Sequence, residues 1–114
     1  MAPTTLVDQV TTTSPLGRKV DGAGYPIRMS EILATLDGAA YIERVALCDV
    51  PNIVKAKKAV KKAFEMQTQK KGFAMVEMLS TCNTNWGMTP VDAMKWLKEN
   101  MIPYFPLGVY KEVE

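Results

Sequence analysis

The feature of this sequence that most restricts its fold is a strand, helix and strand pattern between residues 39 and 79. Residues 39–47 alternate only weakly between apolar and polar side chains, which is typical of a strand covered on both faces. A long helix is predicted from Pro51 to about Gln69, since a proline in the first turn lacks only an amide that would have no helical partner there. Residues 73–79 then form an apolar run with the length of a buried strand. The pattern predicts parallel strands joined by a helical crossover, and therefore an α/β fold.

The flanking parts of the chain predict further elements. Residues 1–26 are rich in Thr, Gly and Pro and are expected to be irregular. Short helices are expected over residues 30–36, where Ser30 is a suitable cap, and over residues 90–101, which Thr89 and Pro90 would begin. Residues 102–110 contain two prolines and are predicted to leave the helix and run extended as an apolar tail.

Two sets of apolar residues recur at helical spacing and are expected to face the core. They are Ile53, Ala56, Val60, Ala63 and Phe64 on the first long helix, and Val91, Met94, Leu97 and Met101 on the last one.

The length of 114 residues limits the chain to a single domain. Two strands are too few for an independent parallel sheet, because such sheets have several strands and are covered on both faces. We therefore expect residues 1–114 to form a single partial domain. It would consist of an irregular segment at 1–26, an α/β core at 27–101 and an extended C-terminal tail at 102–114.

Composition excludes several classes of function. Histidine is absent, which excludes Ser-His-Asp and Cys-His catalysis within this chain. The formal net charge of +2 is too small to indicate nucleic-acid binding. No apolar run approaches the ~18 residues of a membrane span, and the first residues lack the pattern of a signal peptide. We expect a cytoplasmic protein that binds neither nucleic acid nor a membrane.

Cys82 is the residue with the strongest claim to chemistry. It follows the second predicted strand, at the edge of an open α/β sheet where ligands usually bind. Residue type alone leaves two interpretations open: a small buried thiol, or a thiolate ligand whose polar neighbours donate hydrogen bonds to sulfur. Cys48, at the end of the first strand, is interpreted as a packing residue. It could be a second ligand only if the two strand ends are adjacent.

Two other motifs have ordinary structural interpretations. The lysines of the central helix and its end are predicted to form a solvated face, with a docking patch for an acidic partner as the alternative; they are Lys55, Lys57, Lys58, Lys61, Lys62, Lys70 and Lys71. The Asp21-Gly22-Ala23-Gly24 sequence is predicted to be a flexible turn, since no lysine-bearing helix follows it as in a phosphate-binding loop.

Residues 1–15, 25–40 and 80–110 carry a specific resemblance, above all in the Cys-x-Thr-Asn-Trp turn of residues 82–86 and the Ile-Pro-Tyr-Phe-Pro-Leu-Gly stretch of residues 102–108. On these motifs the chain resembles the C-terminal part of the β subunit of 2-oxoacid:ferredoxin oxidoreductases, nearer to the 2-oxoglutarate and branched-chain types. The resemblance implies the C-terminal portion of a thiamine-diphosphate-binding three-layer α/β domain. It also implies oxidative decarboxylation of a 2-oxoacid to acyl-CoA, with reduction of ferredoxin.

The same resemblance implies roles for particular residues. Cys82 would be the last ligand of a 4Fe-4S cluster, and Met1, Ala2, Pro3 and Thr4 would lie near thiamine diphosphate and the oxoacid. The family's other cluster cysteines and its elements for Mg²⁺ and the diphosphate are not in this sequence. We therefore expect a portion of a subunit that is inactive alone and works with the α and other subunits, ferredoxin, CoA and a 2-oxoacid. The alternative is a non-enzymatic module that binds a partner through the lysine-rich helix and the apolar tail.

Overall fold

The computed structural model describes residues 1–114, in three strands and six helices. The strands are β1 (Ala39–Ala46), β2 (Phe73–Leu79) and β3 (Gly108–Glu112). The helices are α1 (Val20–Ala23), α2 (Met29–Leu33), α3 (Val50–Thr68), α4 (Asn83–Trp86), α5 (Pro90–Trp96) and α6 (Ile102–Tyr104), with a π-helical turn at Leu97–Met101 between α5 and α6. None of these helices has both the length and the apolar character needed to cross a membrane.

The sheet has the order β2-β1-β3, with β1 at its centre. β1 and β2 are parallel, in a register that pairs Ala39 with Phe73 and Ala46 with Leu79, and α3 is the crossover between them. This confirms the predicted α/β class with parallel strands and a helical crossover. β3 is antiparallel to β1, so the sheet is mixed.

Helices cover both faces of the sheet because neighbouring residues of β1 point in opposite directions. Val45 packs against Ala56 and Ala59 of α3. Ala46 belongs to a second cluster on the opposite face, together with Leu79 of β2 and residues from the C-terminal helices. The arrangement therefore has three layers, with α3 on one side of the sheet and the helices after β2 on the other.

The buried face of α3 differs in part from the prediction. Ala56 is buried as expected, and Ala59 and Met66 are buried with it. Phe64 is 70% exposed, so its assignment to the core is wrong. The physical reason is that Phe64 lines an open groove between α3 and β2, whereas the small alanines Ala56 and Ala59 are the residues of α3 that are buried against Val45.

The last helical region also differs from its prediction. Leu97 and Met101 are buried as expected, but Val91 is 78% exposed and Met94 is also exposed. The buried residues on this face are spaced by four, from Ala93 through Leu97 and Met101 to Phe105. The predicted set of buried residues began at Val91 instead of Ala93. Alanine is only weakly hydrophobic, so its presence in a sequence does not indicate burial.

Residues 102–110 do not run extended throughout as the apolar tail that was expected. The helix continues through the π-helical turn into α6, and Pro103 lies just after that turn. Residues 108–112 then become β3, and the intervening Phe105 is fully buried. These residues cover the chain's own core and sheet.

A buried arginine joins the three strands of the sheet to α2. The side chain of Arg44 in β1 is 0% exposed and pairs with Glu31 of α2 and with Glu77 of β2, whose Oε2 lies 3.3 Å from Nε. Its Nη1 also donates to the hydroxyl of Tyr110 in β3 at 2.9 Å. Burial lowers the pKa of Arg44, but the hydrogen bonds to both glutamates outweigh it and keep the pKa above its usual value. The arginine therefore carries its positive charge at neutral pH.

We expect Arg44→Met to lower the free energy of unfolding by about 3–5 kcal/mol, because two partly buried carboxylates would lose their cation. Denaturant unfolding at neutral pH measures the loss. The control is Arg28→Met, which removes a more exposed arginine 3.9 Å from the same Glu31 and is expected to cost about 0–1 kcal/mol. Equal stability of Arg44→Met and the wild-type chain would contradict a structural role for the buried cluster.

Candidate functional site

The candidate site lies at the edge where the parallel strands β1 and β2 end. The two strand ends are adjacent, because the amide of Leu47 donates to the carbonyl of Leu79 at 2.9 Å. Three residues later the chain reaches Cys82, which immediately precedes α4 and whose carbonyl accepts a hydrogen bond from the amide of Trp86 at 2.9 Å. The Cys82 thiol is free and exposed. Its position at the sheet edge agrees with the prediction from sequence.

Cys48 lies at the same edge but in a different environment. It is buried in the cluster that contains Leu79, and its sulfur accepts a hydrogen bond from the side-chain amide of Asn52 at 3.6 Å. Burial is the main cause that raises the pKa of its thiol, and the negative charge of Asp49 adds to it. Cys48 therefore behaves as a packing residue, as its sequence position indicated. Of the two cysteines, only Cys82 is available to a ligand from outside.

The turn after Cys82 is held by short-range contacts of its own. Gly87 ends α4 in the left-handed conformation at φ 67°, and the amide of Met88 then donates back to the carbonyl of Asn83 at 2.9 Å. Trp86 packs on Trp96 of α5 with a ring-centroid distance of 5.0 Å. Both rings contact the main core cluster. The exposed thiol of Cys82 thus lies just before a short helix that packs against the rest of the domain.

The N-terminal segment contacts this turn. The amide of Thr12 donates to the carbonyl of Asn85 at 2.9 Å, and the Thr12 hydroxyl donates to the Asn85 side chain. Residues 6–10 lie beside the two tryptophans and line with them a groove of about 390 Å³. The two regions that the sequence singled out, residues 1–26 and the Cys82 turn, are therefore in contact through Thr12. This pairing could not be predicted from the sequence, because threonines occur throughout the segment.

Residues 1–4 themselves have no hydrogen bond to the Cys82 turn. Met1, Ala2 and Pro3 are exposed, and Thr4 is partly buried. Residues 2–5 form a turn in which the amide of Thr5 donates to the carbonyl of Ala2 at 3.1 Å. The turn is held by Arg18, a buried residue that the sequence analysis did not single out.

The Asp21-Gly22-Ala23-Gly24 sequence was predicted to be a flexible turn, but its first three residues belong to the one-turn helix α1. Gly24 follows the helix with φ 70°. The carbonyls of Ala23 and Gly24 accept hydrogen bonds from Arg18. A phosphate-binding loop would present amides, so this orientation of the carbonyls does not suit an anion.

The lysines of α3 face solvent. Lys62 is the one among them that forms an ion pair, with Glu112 of β3 at 3.3 Å. Lys55, Lys57, Lys58 and Lys61 are exposed, which agrees with the solvated face predicted for them.

The donor set of this chain fits an iron-sulfur cluster only as one contribution to it. A 4Fe-4S cluster needs four ligands, usually cysteine thiolates. This chain offers one exposed thiol at the sheet edge, and no three or more His, Cys, Asp or Glu residues converge as a metal site. The remaining ligands would have to come from polypeptide outside these residues.

Asp49 and Lys98 form an ion pair beside the same edge. Asp49 caps α3 by accepting from the amide of Asn52 at 2.9 Å, and Lys98 lies 2.8 Å from its other oxygen. The hydrogen bond from Lys98 and then that from Asn52 lower the pKa of Asp49 to about 2. The pair links α3 to the helical region that carries the tryptophan cluster.

The comparisons with known proteins agree with the resemblance seen in the sequence. The chain is 47% identical over 112 residues to the ketoisovalerate oxidoreductase subunit VorA of Methanothermobacter marburgensis, a match that covers 98% of this chain and 23% of that protein. It is 46% identical to the VorA subunit of Methanothermobacter thermautotrophicus over the same share of this chain and 24% of that protein. It is also 35% identical to the 2-oxoglutarate synthase subunit KorB of Methanocaldococcus jannaschii, across 82% of this chain and 36% of that protein.

These similarities establish the class to which the chain is related. It is homologous to a part of the subunits of 2-oxoacid:ferredoxin oxidoreductases, which confirms the resemblance. The chain spans about a quarter of the length of the VorA subunits that it matches. No family model matches the chain, and no solved structure matches it.

The Asp49–Lys98 pair predicts a particular pH dependence of stability. The pKa of Asp49 is lower in the folded protein than its ordinary value of 3.8, so its contribution is present above about pH 4 and is lost as the pH falls towards 2. We expect the free energy of unfolding of Lys98→Met to fall less between pH 4 and pH 2 than that of the wild-type chain. The reason is that the pKa of Asp49 in the folded protein would move back towards its ordinary value. Urea unfolding at a series of pH values measures this slope. The control Lys95→Met removes a neighbouring exposed lysine and should keep the wild-type slope; an unchanged slope in Lys98→Met would disprove the coupling.

Proposed function

We propose that this chain is a portion of the β subunit of a 2-oxoacid:ferredoxin oxidoreductase that acts in the cytoplasm, with Cys82 as one ligand of a 4Fe-4S cluster. The observation that carries the proposal is the 47% identity over 98% of the chain to a subunit named for ketoisovalerate oxidoreductase. Identity to the 2-oxoglutarate relative is lower, at 35%, which favours a branched-chain 2-oxoacid as substrate. The products would be an acyl-CoA, carbon dioxide and reduced ferredoxin.

The position of Cys82 supports its part in this function. The thiol is exposed at the carboxyl edge of the parallel strands, and the turn around it is fixed by the tryptophan pair. Thiamine diphosphate and Mg²⁺, when bound, would support decarboxylation of the oxoacid, and the cluster would carry the electrons to ferredoxin. This chain would hold one iron through the sulfur of Cys82. It would also border the oxoacid with residues 1–4.

The open side of the sheet supports the view that the rest of the subunit completes this domain. β2 pairs only with β1, so its outer edge is unpaired. Phe73 and Met78 of this strand are 49% and 46% exposed. Two apolar grooves between α3 and β2 lie beside that edge, lined mainly by Val60, Ala63, Phe64, Val76, Ile53 and Met78. An unpaired edge with apolar flanks is a surface that proteins normally cover.

The alternative of a partner-binding module loses part of its basis. It relied in part on an apolar tail that binds a partner, but residues 102–104 form α6, residues 108–112 form β3, and Phe105 between them is part of the chain's own core. The lysine-rich face of α3 remains available for an acidic partner.

The function can be tested with a chimera in which this chain replaces the matching part of the VorA subunit of Methanothermobacter marburgensis. We expect the chimera, assembled with its other subunits, to bind iron and to reduce a dye in the presence of 2-oxoisovalerate and CoA. Cys82→Ala should lower the iron content and the visible absorbance of the assembled chimera, since one cluster ligand is lost. Cys48→Ala is the matched control, because it removes a thiol at the same edge that faces the core. Full activity and iron content in Cys82→Ala would rule out the ligand assignment.

The open edge of β2 provides a separate prediction. In the chain alone, Met78→Asp should change the free energy of unfolding by only about 0.5 kcal/mol, as is usual for an exposed position. In the chimera the same change would bury a charge under the rest of the subunit, and we expect the melting temperature to fall by about 4 °C or more. Val91→Asp, at an exposed site on α5, is the control. If Met78→Asp leaves the chimera as stable as Val91→Asp does, the rest of the subunit does not cover this edge.

A further inference from the structure

Arg18 is an unusual residue within the irregular N-terminal segment. It is only 5% exposed, although α1 is the only helix and no strand lies within residues 1–26. A fully ordered arginine loses much side-chain entropy, so its burial needs strong compensating contacts. These contacts are unusually numerous.

All the nitrogen atoms of the Arg18 guanidinium donate to backbone carbonyls. Nη1 donates to the carbonyls of Ala2, Pro3 and Thr5 at 3.1, 3.4 and 3.0 Å, so one of its two N–H groups is shared between two acceptors. Nη2 donates to those of Ala23 and Tyr25, each at 3.2 Å, and Nε donates to that of Gly24 at 2.9 Å. One side chain therefore joins the start of the segment, residues 2–5, to its end, residues 23–25.

The backbone around Arg18 adds to this clamp. The amide of Ile27 donates to the carbonyl of Pro3 at 3.0 Å, and the amide of Asp8 donates to the carbonyl of Arg18 at 2.8 Å. Gly17 has φ 85°, and a Cβ atom at this position would lie 3.0 Å from the carbonyl oxygen of Asp8. Glycine at position 17 thus allows the chain to pass Asp8 closely and to place Arg18 inside the segment.

Arg18 forms no ion pair with any carboxylate. Its charge is balanced only by the dipoles of the six carbonyls. A planar guanidinium can direct its five N–H groups to separate acceptors, whereas a lysine ammonium has three donors on one atom and cannot span both groups of carbonyls. The arrangement depends on the shape of arginine as well as on its charge.

We propose that Arg18 is a positioning residue that fixes residues 2–5 at the oxoacid end of the site. This inference rests on the proposed function, in which residues 1–4 border the substrate. The guanidinium holds the carbonyls of Ala2, Pro3 and Thr5 on its own side, which leaves the exposed Pro3 and the partly buried Thr4 at the outer surface of the turn. The buried positive charge, having no carboxylate partner, also favours an anionic ligand such as a 2-oxoacid close to this turn.

The clamp can be tested first in the chain alone by hydrogen exchange. In Arg18→Lys the amides of Thr5 and Ile27 should exchange about tenfold faster or more, the factor expected when one or two hydrogen bonds that hold the turn are lost. The amides of β1 should keep their protection, because Arg18 does not contact the sheet. Arg28→Lys is the control, since Arg28 is exposed and donates to the carbonyl of Tyr104 outside the segment. Unchanged exchange in Arg18→Lys, or an equal loss of protection in β1, would overturn the clamp.

The role in positioning is tested in the assembled chimera. Arg18→Lys should raise the KM for 2-oxoisovalerate about tenfold or more, since small displacements of substrate-positioning groups have large effects. Iron content and the visible absorbance of the cluster should stay at the level of the unsubstituted chimera, and Arg28→Lys should change none of these values. If the KM of the Arg18→Lys chimera equals that of the unsubstituted chimera, the guanidinium geometry is not needed. If the unsubstituted chimera oxidises no 2-oxoacid at all, the proposed function fails, and the exchange experiment still decides whether Arg18 clamps the segment.

Discussion

The ion cluster of Arg44 is the interaction on which the three-stranded sheet depends. A charge in the fully buried position of Arg44 is stable only with partners, and these come from α2, β2 and β3. The arginine therefore fixes α2 and the two outer strands relative to the central strand. The apolar clusters also hold these elements together, but they would tolerate small displacements that the paired charges do not.

The fixed strand ends give the candidate site its geometry. Because β1 and β2 are parallel and in register, Cys48 and Cys82 leave the sheet at the same edge. The two thiols have opposite environments: one is buried in the core and the other is exposed before α4. Arg18 organises the N-terminal segment, and Thr12 attaches it to the Cys82 turn. A segment with little secondary structure is thus ordered through hydrogen bonds to its backbone carbonyls and amides.

Part of this arrangement could be predicted from the sequence and part could not. Residues 39–47 and 73–79 have the apolar patterns of strands, and Pro51 marks the start of α3, so the crossover was predictable. The third strand was not, because residues 108–112 are partly exposed and acquire strand structure by pairing with β1. The buried face of α5 was missed because Ala93 carries a weak hydrophobic signal, although it is fully buried.

The sequence by itself determined the α/β class, the crossover helix and the position of Cys82 after a strand, because these depend on local periodicity and capping. It also contained the motifs that relate the chain to 2-oxoacid:ferredoxin oxidoreductase subunits. The tertiary structure alone decided that Arg44 and Arg18 are buried, that Thr12 meets Asn85, and that the C-terminal residues complete the sheet. These contacts join residues far apart in the chain, and whether a charged side chain is buried depends on the partners that the fold brings to it.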